Sequence, residues 1–335
     1  MQITSITQSN RVPTFDIMKG IGILVMIIGH TYIPSLMSDF IFVWHMPLFF
    51  ILSGYFFKMK PMDVLLKNNL RTLFIPYLLT ALVIFLFALL YEILGRSGFD
   101  ALHYFIAIFV GSGSPKAVPL SEYSNGAIWF LLALFWCRLI FNGLLLVTRG
   151  NERVLFLSSF GVAIVGICAS RYVFIPTNLL QGMGALLFFS TGFAVKKRLH
   201  QIRGMMLPLS FVFCGLSMWS GSMSMVSNTY SNLALNYMGA VTMVYAVYRL
   251  SVFLSHSNHW FVCLLTHIGK ISLLVLCVHD VHNIFSFLPE IRETLFPSSP
   301  YIYIMVFDAW KLVFPLVVSV YIYRFLWVRR VFNLS

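Results

Sequence analysis

The sequence predicts an all-α, polytopic membrane bundle of about ten transmembrane helices, and three observations support this fold class. Apolar residues make up 59% of the 335 residues and charged residues only 10%, whereas soluble proteins average about 25% charged residues. Apolar runs of the roughly 20 residues that cross a bilayer as a helix follow one another along the chain. These runs are continuous rather than alternating, which favours helices over strands.

The apolar runs are assigned to individual spans in chain order. We place them near 15–34, 40–57, 72–94, 127–147, 153–171, 176–195, 205–221, 231–253, 268–288 and 301–327. The apolar stretch 101–111 is too short to span and is expected to form an interfacial or re-entrant helix. The first run lacks the cleavage pattern of a signal peptide, so we expect it to be retained. Because no linker or repeat interrupts the chain, a single domain over 1–335 is expected.

The distribution of basic residues predicts that both termini are cytoplasmic. On an N-in topology the inner flanks carry sixteen Lys and Arg residues: Arg11, Lys58, Lys60, Lys67, Arg71, Arg149, Arg153, Lys196, Lys197, Arg198, Arg203, Arg249, Lys270, Arg324, Arg329 and Arg330. The outer flanks carry four: Arg96, Lys116, Arg171 and Arg292. Cytoplasmic loops of membrane proteins concentrate Lys and Arg. The net charge of +12 therefore reflects topology, and no nucleic-acid partner is expected.

The first span carries three ionisable residues, which are costly in lipid and usually mark function. Asp16 and Lys19 are three residues apart and can pair on one helix face. His30 follows Lys19 by eleven residues, about 16 Å of helical rise, and returns to nearly the same face. One stripe of this helix is thus predicted to present a cation near the cytoplasmic side and an imidazole in the outer third. The alternative is a snorkelling lysine and an interfacial histidine.

The second span begins on the outer side and places His45 at a depth similar to that of His30. Pro47 can kink this helix and free backbone groups to line a cavity. We therefore expect His45 and the adjacent Trp44 to line the same polar cavity as His30. Taken alone, His45 is equally consistent with a packed structural histidine.

The ninth and tenth spans add further polar residues at the outer level. The ninth carries His279, Asp280 and His282, and the tenth carries Asp308 and Lys311, which are also able to neutralise each other. No H-x-x-x-H or H-E-x-x-H spacing occurs, and the five cysteines are scattered without a C-x-x-C pair. The pattern favours a polar cavity open to the outer side over a metal site, and no bound cofactor is expected.

Cations also gather at the cytoplasmic end of the second span. Lys58, Lys60, Lys67 and Arg71 crowd the predicted loop between spans two and three, and the first three are also explained as a topology signal. Arg71, directly before an apolar run, is placed to bind an anion at the mouth of the bundle. A phosphate-rich donor fits such a ring of cations.

Several motifs together resemble the acyltransferase 3 family of integral membrane acyltransferases, and most nearly its fucose 4-O-acetylase-like branch, whose members decorate polysaccharides. The matching segments, in chain order, are FDIMKGIGILVMIIGH (15–30), FVWHMPLFFILSGYFF (42–57), RTLFIPY (71–77), AIWFLLAL (127–134, with Trp129), the segment around Gly182 and Gly192, and GKISLLVLCVH (269–279). The family hallmark is a basic residue, ten residues and then a histidine, here Lys19 and His30. The motifs cover most of the chain in the right order.

The resemblance implies a ten-helix enzyme that transfers an acyl group, usually acetyl from acetyl-CoA, to a sugar hydroxyl. It implies His30 as the catalytic histidine, and we expect Asp16, three residues before the hallmark lysine, to be catalytic with it. It also implies Lys19 and Arg71 as donor-binding cations, to which we add Lys58 and Lys60. Many members carry Arg where this chain has Lys19, so bidentate phosphate binding there is lost. Longer members carry a C-terminal esterase-like domain that this sequence lacks, so we expect the membrane domain to complete the chemistry.

The expected mechanism follows from what an acyl thioester lacks, which is a base for the acceptor hydroxyl. Neutral His30 is expected to take that proton, with Asp280 or Asp308 orienting it and Trp129 or Lys311 as oxyanion donors. The pantetheine arm is expected to enter from the Lys19 side. The expected setting is the bacterial inner membrane, with acetyl-CoA, a carbohydrate acceptor and lipid as partners, and with a homo-oligomer left open. A transporter or flippase of a lipid-linked sugar is the alternative.

Overall fold

The computed structural model describes residues 12–95, 100–111, 113–114, 124–199, 206–284 and 300–334, and these are almost entirely helical. The helices are α1 Pro13–Gly29, α2 Ser35–Tyr55, α3 Met62–Asn69, α4 Ile75–Ile93, α5 Ala101–Val110, α6 Trp129–Val147, α7 Glu152–Ala169, α8 Leu179–Gly184, α9 Leu186–Val195, α10 Met206–Trp219, α11 Leu233–Leu254, α12 Trp260–Lys270, α13 Ser272–Ile284, α14 Pro300–Ile322 and α15 Leu326–Val331. The strands β1 Met223–Ser224 and β2 Thr229–Tyr230 form an antiparallel hairpin. The predicted all-α membrane bundle is confirmed as a class.

Among the described residues, six helices are long and apolar enough to cross a membrane, or up to eight if each bent pair is one span. The six are α2, the continuous α3–α4, α6, α7, α11 and the Ile304–Ile322 part of α14. The bent pairs are α8–α9, at 49°, and α12–α13, at 78°. The predicted number of ten is therefore not confirmed, and the sides of the membrane on which the termini lie remain predictions. Helix α5 has ten residues and is too short to span, as expected.

Two predicted boundaries were wrong. The third span was expected to start near residue 72, but its helix begins at Met62 and continues through a π-helical turn at Leu70–Phe74. Lys67 and Arg71 are therefore helical rather than in a loop. Pro76 lacks the N–H that would bond the carbonyl of Thr72, and the wider π turn directly precedes it.

The ninth span was placed at 268–288, but helix begins at Trp260 and turns sharply at Ile271. Its predicted end, residues 285–288, lies outside the described part of the chain. The same holds for five of the cations used to assign the topology: Arg11, Arg96, Lys116, Arg203 and Arg292.

Paired glycines bring the helices that carry the site into backbone contact. A Cβ on Gly20 of α1 would collide with the main-chain oxygen of Leu265, and a Cβ on Gly269 would collide with that of Asp16. Helices α2 and α9 meet in the same reciprocal way through Gly54 and Gly192. Small residues allow such close approach in membranes, where van der Waals packing drives association.

Helix α6 lies at the centre of the bundle. Its residues 129–135 are all buried, which explains why this segment is apolar on every face. Helix α14 lies at the periphery, because only 17% of its most apolar 18-residue stretch is buried inside the protein. The site is therefore built on α1, α2, α6 and α13, with α14 closing it from outside.

Candidate active site

The two predicted ends of the α1 stripe open into two separate cavities. Lys19 lines one of about 440 Å³, and His30 lines one of about 280 Å³. We call the first the cationic cavity, lined among others by Lys19, Lys58, Lys60 and Arg138, and the second the histidine cavity, lined among others by His30, His45, Trp129, Asp280 and Asn283. Both residues therefore face the protein interior rather than lipid.

The histidine cavity brings together four helices and the β-hairpin. Its walls come from α1, α2, the start of α6, α13 and residues 223–226. His30 and His45 both lie beside Phe42, with ring centroids 5.9 and 4.9 Å from that ring. The expected depth match between the two histidines is thus present in the structure.

Hydrogen bonding fixes the tautomer of His45. Its Nδ1 lies 2.9 Å from the carbonyl oxygen of Ile41, one turn earlier on α2. A carbonyl only accepts, so Nδ1 carries the proton and Nε2 is left as an acceptor in the neutral ring. His45 therefore presents a lone pair within the cavity that His30 also lines.

His279 lies behind His30 and outside the described lining of the histidine cavity. Their ring centroids are 5.6 Å apart, and neither ring nitrogen of His279 has a hydrogen-bond partner among the described residues. His282, one turn further along α13, stacks on Phe314 of α14 at 4.6 Å. In the described part of the chain, no three His, Cys, Asp or Glu side chains cluster closely enough to hold a metal ion.

Asp280 is occupied by the backbone at the start of α6. Its two carboxylate oxygens accept hydrogen bonds from the amides of Ala127, at 2.7 Å, and Ile128, at 3.2 Å. Gly126 has φ +64°, and a Cβ there would collide with the Asp280 carboxylate. Asp280 therefore caps the helical turn that leads into α6 and fixes Trp129 in the cavity wall.

Asp308 and Lys311 of α14 hold the backbone where α1 ends. Lys311 Nζ donates to the carbonyl oxygen of His30 at 3.0 Å, and Asp308 accepts from the amide of Tyr32 at 3.1 Å. Neither Asp280 nor Asp308 thus serves as the expected side-chain partner of the His30 ring. Lys311 uses one of its three N–H donors for this carbonyl, and its role as an oxyanion donor stays a prediction.

Trp44 and Asp16 lie apart from the histidine cavity. Trp44 is buried beside Phe40, and it is not part of the described cavity lining. Asp16 is buried and pairs with Lys19 at 2.7 Å, so the expected i,i+3 ion pair is present. Fourteen residues of helix, about 21 Å, separate Asp16 from His30.

The cationic cavity has no acidic residue in its described lining. Lys60 is fixed there by Asn142, a fully buried residue of α6 whose side-chain amide bonds both the N–H and the carbonyl of Lys60. Arg71 is exposed and does not belong to this lining. The predicted donor-binding cations Lys19, Lys58 and Lys60 are thus brought together, and Arg71 is not.

Arg138 was missed as a site residue by sequence analysis. It lines the cationic cavity one turn before Asn142, and its Nε is buried without a hydrogen-bond partner among the described residues. The available signal was an arginine in the middle of a predicted span, where a charge usually marks function. Its neighbours on other helices could not be read from the sequence.

A third, apolar cavity of about 70 Å³ lies between the other two. It shares Phe49, Phe130 and Leu273 with the cationic cavity. It shares Met26 and Met46 with the histidine cavity. The three cavities therefore adjoin in series through the bundle.

Comparison with known proteins identifies the family. A family model described as an acyltransferase domain, acyltransferase 3, matches residues 12–328, nearly the whole chain. Neither the curated proteins nor the solved structures compared with the chain yield a match. An acyltransferase requires an acyl donor and an acceptor, and two cavities of different chemistry that adjoin through a third are suited to holding one each. The chain belongs to the acyltransferase 3 family and is a multi-pass membrane enzyme of acyl transfer.

Proposed function

We propose that the protein is an O-acetyltransferase that moves an acetyl group from acetyl-CoA to a sugar hydroxyl of a bacterial surface polysaccharide or its lipid-linked precursor. The observation that carries this proposal is the series of three cavities between Lys19 and His30. The donor enters from one end and the acceptor from the other. The proposed setting is the bacterial inner membrane, with the Lys19 end facing the cytoplasm.

The cationic cavity supports binding of a phosphate-rich donor. Coenzyme A carries a diphosphate and a 3′-phosphate, which need cations when they leave bulk water. Lys58, Lys60 and Arg138 supply three positive charges with no carboxylate in the described lining, and Lys19 adds an ammonium group that is paired with Asp16. Arg138 supplies the forked geometry that binds phosphate in a bidentate manner and that Lys19 lacks.

Two further residues of the donor end have supporting roles in this proposal. Asp16 acts through its ion pair, which orients the ammonium group of Lys19. Arg71 lies on the exposed side of the same end and attracts the anionic donor at longer range, an effect that salt screens.

The proposed reaction has His30 as its general base. The acceptor hydroxyl oxygen attacks the thioester carbonyl carbon while neutral His30 takes the hydroxyl proton. The carbon–sulfur bond then breaks, an ester carbon–oxygen bond remains, and the imidazolium returns the proton to the leaving thiolate. His279 adjoins the His30 ring, and His45 offers its Nε2 to the acceptor in the same cavity.

The histidine cavity supports an uncharged, hydroxyl-rich acceptor. Besides the histidines, its lining contains the indole of Trp129, the amide of Asn283 and the hydroxyls of Ser114 and Ser124. Such groups exchange hydrogen bonds with sugar hydroxyls and present an aromatic face to a sugar ring.

Purified protein in detergent, supplied with acetyl-CoA and polysaccharide from the host envelope, tests the proposal. The expected result is acceptor-dependent release of free CoA thiol and incorporation of labelled acetyl into the polysaccharide. His30→Ala should lower this rate at least about 10²-fold, the lower range for a general base. The matched control is His256→Ala, an exposed histidine after α11. Labelled sugar transport without thiol release, or normal turnover by His30→Ala, would contradict the proposal.

A further inference from the structure

The apolar cavity between the donor and acceptor ends is the smallest of the three. Its volume is about 70 Å³, against about 440 Å³ and 280 Å³ on either side. Its walls include Ile23, Met26, Phe130 and Leu276, all buried, and no charged side chain belongs to its described lining. On the proposed function, the thioester has to reach His30 by this passage.

We infer that Met26 and Met46 make this passage a filter for the length of the acyl group, which restricts the enzyme to short acyl-CoA donors. The inference rests on the proposed function, because it assigns part of the path that acetyl-CoA would take. Met26 of α1 and Met46 of α2 lie on facing helices and line both the passage and the histidine cavity. They therefore form the exit through which the acyl carbonyl meets His30.

The passage separates the two halves of the donor by polarity. Moving an unpaired phosphate among apolar side chains costs several kcal/mol, so the phosphates stop at the cationic cavity. The uncharged pantetheine arm and its acyl group carry no such penalty. Phe49 and Phe130, whose ring centroids are 6.0 Å apart, stand at this boundary and line both cavities.

Methionine suits the exit because its unbranched side chain adapts to the group that passes. The thioether has three rotatable bonds and fills irregular gaps between helices. A short acyl group displaces it slightly, whereas a longer chain has no space left beside it. Replacing either methionine with a shorter residue should remove this steric limit, so that the extra methylene groups of a longer acyl chain pack against apolar side chains.

Competition binding measures how affinity depends on the length of the acyl group, and it does so without knowledge of the acceptor. Acetyl-, propionyl-, butyryl- and hexanoyl-CoA displace labelled acetyl-CoA from purified wild-type protein, Met26→Ala and Met46→Ala. The matched control is Met18→Ala, a buried methionine of the same helix that lines neither the passage nor the histidine cavity. Each methylene newly accommodated by apolar surface should strengthen binding roughly fourfold.

Wild-type protein should bind hexanoyl-CoA more weakly than acetyl-CoA, and each exit variant should raise the hexanoyl-to-acetyl affinity ratio at least tenfold. Met18→Ala should keep the wild-type ratio. Adenosine 3′,5′-bisphosphate, which lacks the pantetheine arm, should bind all four proteins equally and so verifies that the cationic cavity is intact. Unchanged ratios in both exit variants, or an equal change in Met18→Ala, would overturn the filter. Failure of wild-type protein to bind acetyl-CoA would instead overturn the proposed function.

If one exit variant fails to bind the bisphosphate, the other carries the test, because the two methionines lie on different helices. Met46→Val, a smaller truncation, replaces Met46→Ala if both are lost. Its hexanoyl-to-acetyl ratio should rise by less than that of the alanine variant, and an unchanged ratio would count against the filter.

Discussion

Lys311 donates a hydrogen bond from Nζ to the main-chain oxygen of His30, at 3.0 Å. His30 ends α1, so its carbonyl has no partner within that helix. Helix α14, at the periphery, thus supplies a hydrogen-bond donor to the carbonyl of His30, the proposed general base. Asp308, one turn earlier on α14, fixes the amide of Tyr32 in the same way. Together the two side chains hold the main chain that leaves α1 directly after the imidazole-bearing residue.

Replacing Lys311 with methionine should therefore lower kcat without weakening donor binding. Loss of a charged hydrogen bond costs about 1.5–3 kcal/mol, and poorer aim of His30 should lower kcat by roughly ten- to a hundredfold. The KM for acetyl-CoA should stay within about twofold, because the cationic cavity lies at the other end of α1. Lys311→Arg should restore most of kcat, and Lys270→Met, at an exposed lysine, is the control. A rise in KM with unchanged kcat would refute the positioning role.

Removing the Asp280 carboxylate should destabilise the protein by releasing the start of α6. Asp280→Ala leaves the amides of Ala127 and Ile128 without their acceptor, a loss of about 2 kcal/mol. Asp280→Asn keeps one acceptor oxygen and should lose less. In thermal unfolding in detergent, the unfolding midpoint should decrease in the order wild type, Asp280→Asn, Asp280→Ala. An alanine variant as stable as wild type but inactive would indicate a direct chemical role instead.

Removing the half-buried guanidinium of Arg138 should weaken donor binding. Arg138→Leu deletes one of four cations of the cationic cavity, and we expect the KM for acetyl-CoA to rise about tenfold or more. Arg138→Lys keeps the charge but loses the forked guanidinium, so its KM for acetyl-CoA should lie between those of the wild type and Arg138→Leu. Titration of initial rate against acetyl-CoA measures the effect, with Arg153→Leu, an exposed arginine at the start of α7, as the control. Equal KM values in the Arg138 and Arg153 variants would exclude Arg138 from the donor site.

Adding a methyl group between α2 and α9 should destabilise the bundle. A Cβ at Gly54 meets the main-chain oxygen of Phe189, which cannot move aside as a side chain would. Overpacking typically costs about 1–3 kcal/mol, so Gly54→Ala should lower the unfolding midpoint. Gly161→Ala is the matched control, because a Cβ there meets no atom within 4 Å. A Gly54→Ala protein as stable as the Gly161→Ala protein would contradict this contact.

The candidate site was predictable in part because helix geometry relates residues on one element. The Asp16–Lys19 pair and the shared stripe of Lys19 and His30 follow from spacing alone, and both are present. The contribution of His45 required only the short connection between α1 and α2. The roles of Asp280 and Lys311 were not predictable, because each depends on a backbone group more than 150 residues away.

The sequence by itself determined that lipid surrounds the protein and that its elements are helices. Successive long apolar runs with few charges favour lipid, and runs that do not alternate satisfy their backbone groups there as helices. It also determined which helix carries the cation and the imidazole. Only the tertiary structure decided that Arg138, rather than Arg71, joins the cationic cavity, and that an apolar cavity lies between it and the histidine cavity. The physical reason is that a cavity is bounded by several helices, and their mutual rotation is set by contacts such as the paired glycines.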